Sequence, residues 1–452
     1  MGEFVSISMP PNRPRVVVIG AGFAGLAAAY ELVRQGIEPV VVEADSQPGG
    51  LAASFEADGR EIERFYHFWY HDDPYLLDLV EEMGLRDQVV TRPSPTGLYF
   101  AGKLFRLTTP LDVLRFTPLP LIHRIRLGLI VLAARRIKSW RELDHISAAD
   151  WLVRIGGREG FRVVWEPLLV GKFGRYAYEV SAAWFWAKLV LRGGSRKGAR
   201  GESLMYYKGG FKALVDSMVV DIRSHGGALR LDTPAIGIDT SNGAITAVRT
   251  QHDVIACEGA ITTTALPIVA DVMGDAIDAG YAARLRNVKY LGSMCLVLEL
   301  DRSLSELYWM NVNDPSFPFV AVIEHTNMDP NEREDGRHIV YLSRYLPADD
   351  SVYRMGAQDF LDYTVPHLQR MFPAFERDWI KAFHLWRAPY TQPVTTVGYA
   401  DAIPGNDTPV EGFKIASMAQ IYPEDRGTPH AVREGRKIAK ALAAEIRARV
   451  PA

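Results

Sequence analysis

The chain is poor in cysteine: two among 452 residues, Cys257 and Cys295, too few for a disulfide framework and without metal-ligand spacing. A reducing, cytoplasmic setting is therefore expected. Charge of one sign is also missing, with Lys+Arg at 51 against Asp+Glu at 54. No global field draws in nucleic acid or an anionic membrane, so a charged partner has to be recognised locally. Long apolar runs are absent: the most notable, residues 128–134, falls far short of the roughly 20 residues that span a bilayer. The first fifteen residues, MGEFVSISMPPNRPR, lack the apolar centre of a secretory signal and read as a flexible lead-in. There is no G-x-S-x-G, no P-loop lysine and no H-E-x-x-H, which removes support from hydrolase and kinase readings.

What is present is a globular composition, 48% hydrophobic and 23% charged, on a chain longer than one core, so two or three domains are expected. Near its start, VVVIGAGFAGLAAAYELVRQG opens with β-branched residues 16–19 and continues with apolar residues at helical spacing. A strand running into a helix is predicted. Between them Gly20, Gly22 and Gly25 have the G-x-G-x-x-G spacing: a tight turn, room for a pyrophosphate, and close helix–strand packing. The phosphate would lie on the helix N-terminus, where free N–H groups and the dipole favour an anion. A second buried strand, PVVV, ends at Glu43, 18 residues after Gly25, near the offset of about 20 for a carboxylate that holds ribose hydroxyls. These elements together predict a dinucleotide site, and NAD and FAD both fit so far.

Beyond Glu43, ADSQPGGLAAS adds a second glycine pair, Gly49 and Gly50. With that pair the chain resembles the FAD-dependent amine oxidase superfamily, which includes protoporphyrinogen oxidase and phytoene desaturase and has UDP-galactopyranose mutase as a more distant relative. The resemblance continues through TPAIGI, ITAVRT and HDVIACEGAITTTALP after Asp232, and through KIASMAQIYPEDRGTPHAVREGRKIAKAL at the end. It implies FAD as cofactor, held by Gly20, Gly22, Phe23, Ala24, Gly25, Glu43, Ala44, Gly49, Gly50, Leu51 and Ala52 at the start. Tyr66 and His67 follow, then Ala235 and Ile236, and last Ser417, Met418, Gly427, Thr428 and Ala431. A helix starting near Gly427 and Thr428 would turn its positive end toward the reduced flavin.

The stretch HFWYHDD, residues 67–73, allows three readings. His67 and His71 at i, i+4 with an aspartate could hold a metal. Pro74 instead suggests a helix start with Asp72 or Asp73 as N-cap, and no metal is expected. In the resembled family this stretch passes the flavin, which makes His67 a candidate hydrogen-bond donor there. In the same family the segment before the last strand reaches the active site. Here it is HLWRAPYTQPV, which puts Arg387 and Tyr390 beside His67 as catalytic candidates, with Trp386 as a further contact.

The expected fold is α/β: a discontinuous Rossmann-like FAD-binding domain of residues 1–97, 201–275 and 388–452, with a second α+β substrate domain of mixed sheet and helices at 98–200 and 276–387. Within the latter, residues 98 to about 191 read as helical and basic, with the stretch 109–144 a lid helix with a solvated basic face in preference to one on a membrane surface. Trp184, Phe185 and Trp186 read as an aromatic cluster on a helix, buried packing or pocket wall. The run 192–200 carries four cations and no acid, and reads as a solvated loop or an anion clamp. The family resemblance implies an oxidoreductase that takes hydride from a substrate C–H or C–N bond onto flavin N5. The chain departs from the amine oxidases, with Leu296 matched to their usual lysine, Gly427 to their second aromatic, and Gln47-Pro48 in place of an arginine. Dehydrogenation of a less polar or cyclic small molecule is thus expected above amine oxidation. A flavin-dependent mutase and a non-catalytic flavoprotein are the alternatives.

Overall fold

The computed structural model describes residues 13–57, 59–71, 73–107, 109–195, 203–328 and 336–449. Strand Arg15–Ile19 is the centre of a five-stranded sheet, and Val16, Val17 and Val18 are each 0% exposed. Burial on both faces is what an all-parallel sheet requires, and continuous β-branched residues supply it. Its neighbours are Glu38–Val42, then Ala228–Arg230, on one side, and Gly259–Thr262, then Phe413–Ile415, on the other. All four pairings are parallel. Three distant parts of the chain therefore build one sheet.

The period-2 alternation of the strand sorts its side chains into two layers. Val16 and Val18 meet the helices Phe23–Arg34, Gly210–Ser224 and Thr428–Arg449 in one core. Val17 and Ile19 enter the other, with helix Leu266–Met273 and the antiparallel ribbon Ala235–Ser241, Ala244–Thr250, Val254–Ala256.

A seven-stranded mixed sheet stands beside this assembly, ordered Ile380–Pro393, Tyr290–Leu300, His338–Leu346, Ala321–Glu324, Trp309–Val312, Thr96–Phe100, Lys103–Arg106. Only the pair Trp309–Val312 with Thr96–Phe100 is parallel. Strands Tyr290–Leu300, His338–Leu346 and Ala321–Glu324 pair antiparallel, Thr96–Phe100 and Lys103–Arg106 are strands where the helical run is expected to begin, and helix Ala357–Met371 precedes the long strand Ile380–Pro393. Strand Tyr290–Leu300 alternates too: Cys295 and Val297 face the cofactor-side core, while Met294, Leu296 and Leu298 face helix Ala357–Met371.

A helical layer over residues 110–195 includes Leu121–Arg136, Ala148–Gly156, Glu166–Phe173 and Ala182–Ser195. Helix Leu121–Arg136 departs from the expected basic outer face. Leu121, Ile122, Ile125, Leu129 and Leu132 are exposed beside Arg126, Arg135 and Arg136, because its inward contacts use Ile130 and Ala134. No helix among the described residues is long and apolar enough to cross a membrane. Of the cation-rich run, residues 192–195 continue helix Ala182–Ser195, and residues 196–200 lie outside the described residues.

The two terminal helices touch backbone to backbone. A Cβ on Gly25 would stand 1.8 Å from Gly20 O, and one on Gly435 would stand 2.1 Å from Ala24 O. Gly25→Ala and Gly435→Ala are each expected to lower unfolding stability by about 3 kcal/mol or more, since neither backbone can yield. Denaturant titration checks this; a loss under about 1 kcal/mol at both positions would refute the packing argument.

Candidate functional site

The glycine turn is built around one carboxylate. Glu43 Oε2 accepts from Ala21 N at 2.7 Å and Oε1 accepts from Asp45 N at 2.9 Å, so the acid at the second strand's tip braces both loops. Gly20 is left-handed at φ +104°, and its N–H donates to Val42 O at 2.9 Å. Gly49 lies beside Gly22 in a parallel bridge and donates to Ala21 O at 2.8 Å. The helix beginning at Phe23 has no side-chain cap, so its first N–H groups face outward without a protein side chain over them. A Cβ on Gly22 would meet nothing closer than 3.9 Å, in contrast to Gly25. The first and third glycines satisfy the fold, and the second keeps a space open.

Phe23 and Ala24 serve this turn through backbone, since the Phe23 ring packs edge-on to Phe211 at 5.7 Å and Ala24 meets Gly435. Ala44 is exposed beside Glu43, and Ala52 is buried under the loop. Gln47, which stands where the resembled family has arginine, donates to Ser54 O at 2.9 Å. Ala235 and Ile236 begin the antiparallel ribbon, Ile236 with its side chain 56% exposed. Ser417 opens the turn Met418–Gln420, its N–H on Gln420 Oε1 at 2.8 Å. Ala431 packs into the same core as the first helix.

Leu51, Tyr66, His67, Gly427 and Thr428 line a cavity of about 340 Å³ whose far walls are Trp165, Phe173, Trp184 and Phe185 of the helical layer. The cavity also meets the large sheet at Ser293, Trp309, Tyr345 and Thr391. Ser293, and not Leu296, is the position of strand Tyr290–Leu300 turned to the cavity; Leu296 is fully buried on the other face. Thr428 starts the 22-residue C-terminal helix, so that helix presents its N-terminus to this space.

His67 is tied to a buried carboxylate. Its N–H donates to Glu63 Oε2 at 3.1 Å, and its Nδ1 lies 3.6 Å from the same oxygen. Glu63 also accepts from Tyr206 Oη at 2.9 Å and Phe211 N at 3.0 Å. Burial pushes the Glu63 carboxyl upward, but the hydrogen bond and charge of His67, with His325 and the Phe211 N–H, hold it below its ordinary value of 4.5. Burial pushes the Tyr66 phenol well above its usual range. Asp73 caps helix Pro74–Glu82 by accepting from Tyr75 N at 3.3 Å, with proline at the first helical position. The other candidate cap, Asp72, lies outside the described residues.

Arg387 and Tyr390 are not brought to this lining. Arg387 donates to the carbonyls of Tyr353 and Met355, which makes it a backbone clamp, and Tyr390 packs against Tyr290 at 5.4 Å near the surface. Trp386 stacks between Phe55 and Arg64. Their strand, Ile380–Pro393, is the sheet's outer edge, and it reaches the cavity only at Thr391. Sequence reasoning missed Lys172, Lys188 and Tyr345, which line the cavity with Asp425 and Arg426. The two lysines carry no motif: they stand on different helices and meet only in the fold.

Fold and glycine turn together define a dinucleotide-binding protein, with a cavity lined by Leu51, His67 and Thr428 on one side. Residues 23–443 match the family of flavin containing amine oxidoreductases, and the chain belongs to that family. FAD is its cofactor, and the braced Glu43, the open Gly22 and the uncapped helix fit it. The chain is 30% identical over 182 residues to the zeta-carotene desaturase of Synechocystis sp., covering 34% of this chain and 36% of that protein. It is 24% identical over 282 residues to the coproporphyrinogen III oxidase of Staphylococcus aureus, covering 55% of this chain and 60% of that protein. The matched segments thus span between about a third and three fifths of these relatives. In fold it is similar to a reduced UDP-galactopyranose mutase, with a TM-score of 0.72, 13% identity, 96% of this chain and 94% of that one covered.

Two outcomes test this geometry. Gly22→Asp should leave the fold intact, with unfolding stability within about 1 kcal/mol, while FAD content falls at least about tenfold, since a carboxylate there opposes the diphosphate. Retention of full yellow colour would refute the assignment. Because the folded Glu63 carboxyl titrates below 4.5, its contribution is present above that pH and is lost as pH falls through the lower folded value. Glu63→Gln should cost about 1–3 kcal/mol near neutrality and give a shallower loss of stability below about pH 4.5, read by denaturant unfolding across pH.

Proposed function

We propose that this chain is an FAD-dependent dehydrogenase or oxidase acting on a C–H bond of a largely apolar, cyclic or conjugated small molecule. The observation that carries the reading is the cavity, walled on one side by Leu51, His67 and Thr428 and on the other by aromatic residues of the helical layer. FAD, held at the glycine turn beside Gly22 and Glu43, would supply the hydride acceptor for this chemistry, with an external electron acceptor to reoxidise it. The chain's own residues do the rest. Trp165, Trp184, Phe185 and Trp309 supply apolar faces that hold a flat or elongated body and keep water out. Glu63 orients His67 through the backbone and pins the segment to Tyr206 and Phe211, so the wall nearest the glycine turn is rigid. The N-terminus of helix Thr428–Arg449 gives positive potential where electron density would accumulate.

Desaturation of a carotene or oxidation of a porphyrinogen, the reactions in the names of the two relatives above, suits these walls better than amine oxidation. Lys172, Lys188 and Arg426 line the cavity around the single carboxylate of Asp425, and an ammonium substrate would meet an excess of like charge there. The mutase alternative rests on fold likeness, and oxidation state separates it from the redox reading. Under anaerobic conditions the yellow holoprotein should bleach on addition of one member of a panel of carotenoids, porphyrinogens, amines and nucleotide sugars, without dithionite. Turnover of a nucleotide sugar seen only after dithionite reduction would replace the redox reading with the mutase one.

A further inference from the structure

The cavity wall carries more positive charge than its own carboxylate balances. Lys172 Nζ and Lys188 Nζ both contact one oxygen of Asp425, Oδ2, at 2.8 and 2.5 Å, while Oδ1 accepts from Trp184 Nε1 at 3.1 Å. Both oxygens of this acid are thus engaged. Arg426 follows it in sequence, with one terminal nitrogen on Tyr345 Oη at 3.2 Å and its Nε buried with no hydrogen-bond partner. Aromatic faces surround the ammoniums: Lys172 lies 4.7 Å and Lys188 4.8 Å from the Trp184 ring centroid. Such contacts replace part of the lost hydration and none of the missing negative charge. The other acid on the wall, Asp73, is the N-cap of helix Pro74–Glu82, where His430 and Arg433 act on it. Glu424 is taken by Arg433 at 2.8 and 3.1 Å. Among the described residues, then, the lysine pair and Arg426 share Asp425.

We propose that Lys172, Lys188 and Arg426, organised by Asp425, form an anion-binding corner of the cavity that takes a carboxylate or phosphate carried on an apolar body. The corner is cationic, while Trp165, Leu169, Phe173, Phe185 and Trp309 give the cavity broad apolar and aromatic faces, interrupted by polar residues such as Ser293, Asn311 and Thr391. A ligand complementary to the whole space is amphiphilic: an apolar ring system or chain for the walls and one anionic group for the corner. Electrostatics agree. Burial, with repulsion from Lys188 and Arg426, draws the Lys172 ammonium well below its usual range despite Asp425, and an arriving anion would relieve that repulsion. Burial alone would raise the Asp425 carboxyl, yet Lys172, Lys188 and Arg426 hold it well below the usual range. The inference rests on the proposed function only in treating this ligand as the substrate.

The test uses the FAD-loaded protein and three probes of one shape: 4-phenylbutyrate, 4-phenylbutyl phosphate and 4-phenylbutyramide. Binding is read by quenching of tryptophan fluorescence and by perturbation of the flavin spectrum. At least one anionic probe should bind about tenfold or more tighter than the amide, and the tighter of the two identifies the headgroup. Lys188→Met, at the more exposed lysine, should reduce that preference to under about threefold while FAD content is unchanged. Lys172→Met should do the same, and Lys188→Met keeps the test decisive if the more enclosed Lys172 variant does not fold. Equal binding of the amide and both anions to the wild type would overturn the proposal, as would full preference retained in Lys188→Met. The flavin reading fails separately: a protein that prefers the anions but bleaches with no reductant in the panel keeps this corner and loses the proposed reaction.

Discussion

The structure depends on a backbone contact that no side chain can enter. Helix Phe23–Arg34 is held between the carbonyl of Gly20 on one flank and the backbone of the C-terminal helix at Gly435 on another, and the space at each is smaller than a methyl group. That closeness brings the uncapped helix N-terminus, the Glu43 brace and the start of helix Thr428–Arg449 into one assembly. Close packing keeps the two helix N-termini in fixed relation.

Buried acids hold the second layer of the site in place. Glu63 gathers donors from His67, Tyr206 and Phe211, and its own carbonyl accepts from Tyr341 Oη at 3.0 Å, which links the cofactor side to the large sheet. Glu299, 1% exposed on strand Tyr290–Leu300, is met by Arg60, Arg337 and His384. Such groups are tolerated inside because each is hydrogen-bonded or paired, and removing a partner costs more than the pair contributes. The cavity between the sheets is therefore framed by polar networks with little freedom to relax. Asp425, with Lys172, Lys188 and Arg426 around it, differs from these acids in lining the cavity, where a ligand can reach its cations.

Local pattern carried much of the cofactor half. The β-branched run, the three glycines and the acid at the second strand's tip act through neighbours a few residues apart, so spacing alone conveys their geometry. The Pro74 cap was legible for the same reason, since Asp73 bonds a backbone N–H two residues on. Arg387 and Tyr390 show where such reading stops. On a strand at the edge of a sheet, which face meets the cavity depends on register with Tyr290–Leu300, and a bulge between Leu291 and Ser293 shifts that register.

By itself, then, the sequence determined the cofactor turn and the class of fold, because hydrophobic period and glycine spacing are short-range physics. Only tertiary structure decided that Lys172, Lys188 and Asp425 meet, that Ser293 and not Leu296 faces the cavity, and that Gly435 is as constrained as Gly25. These relations join residues up to 411 positions apart, Ala24 and Gly435, and an isolated lysine or glycine carries no mark of which distant backbone will lie against it.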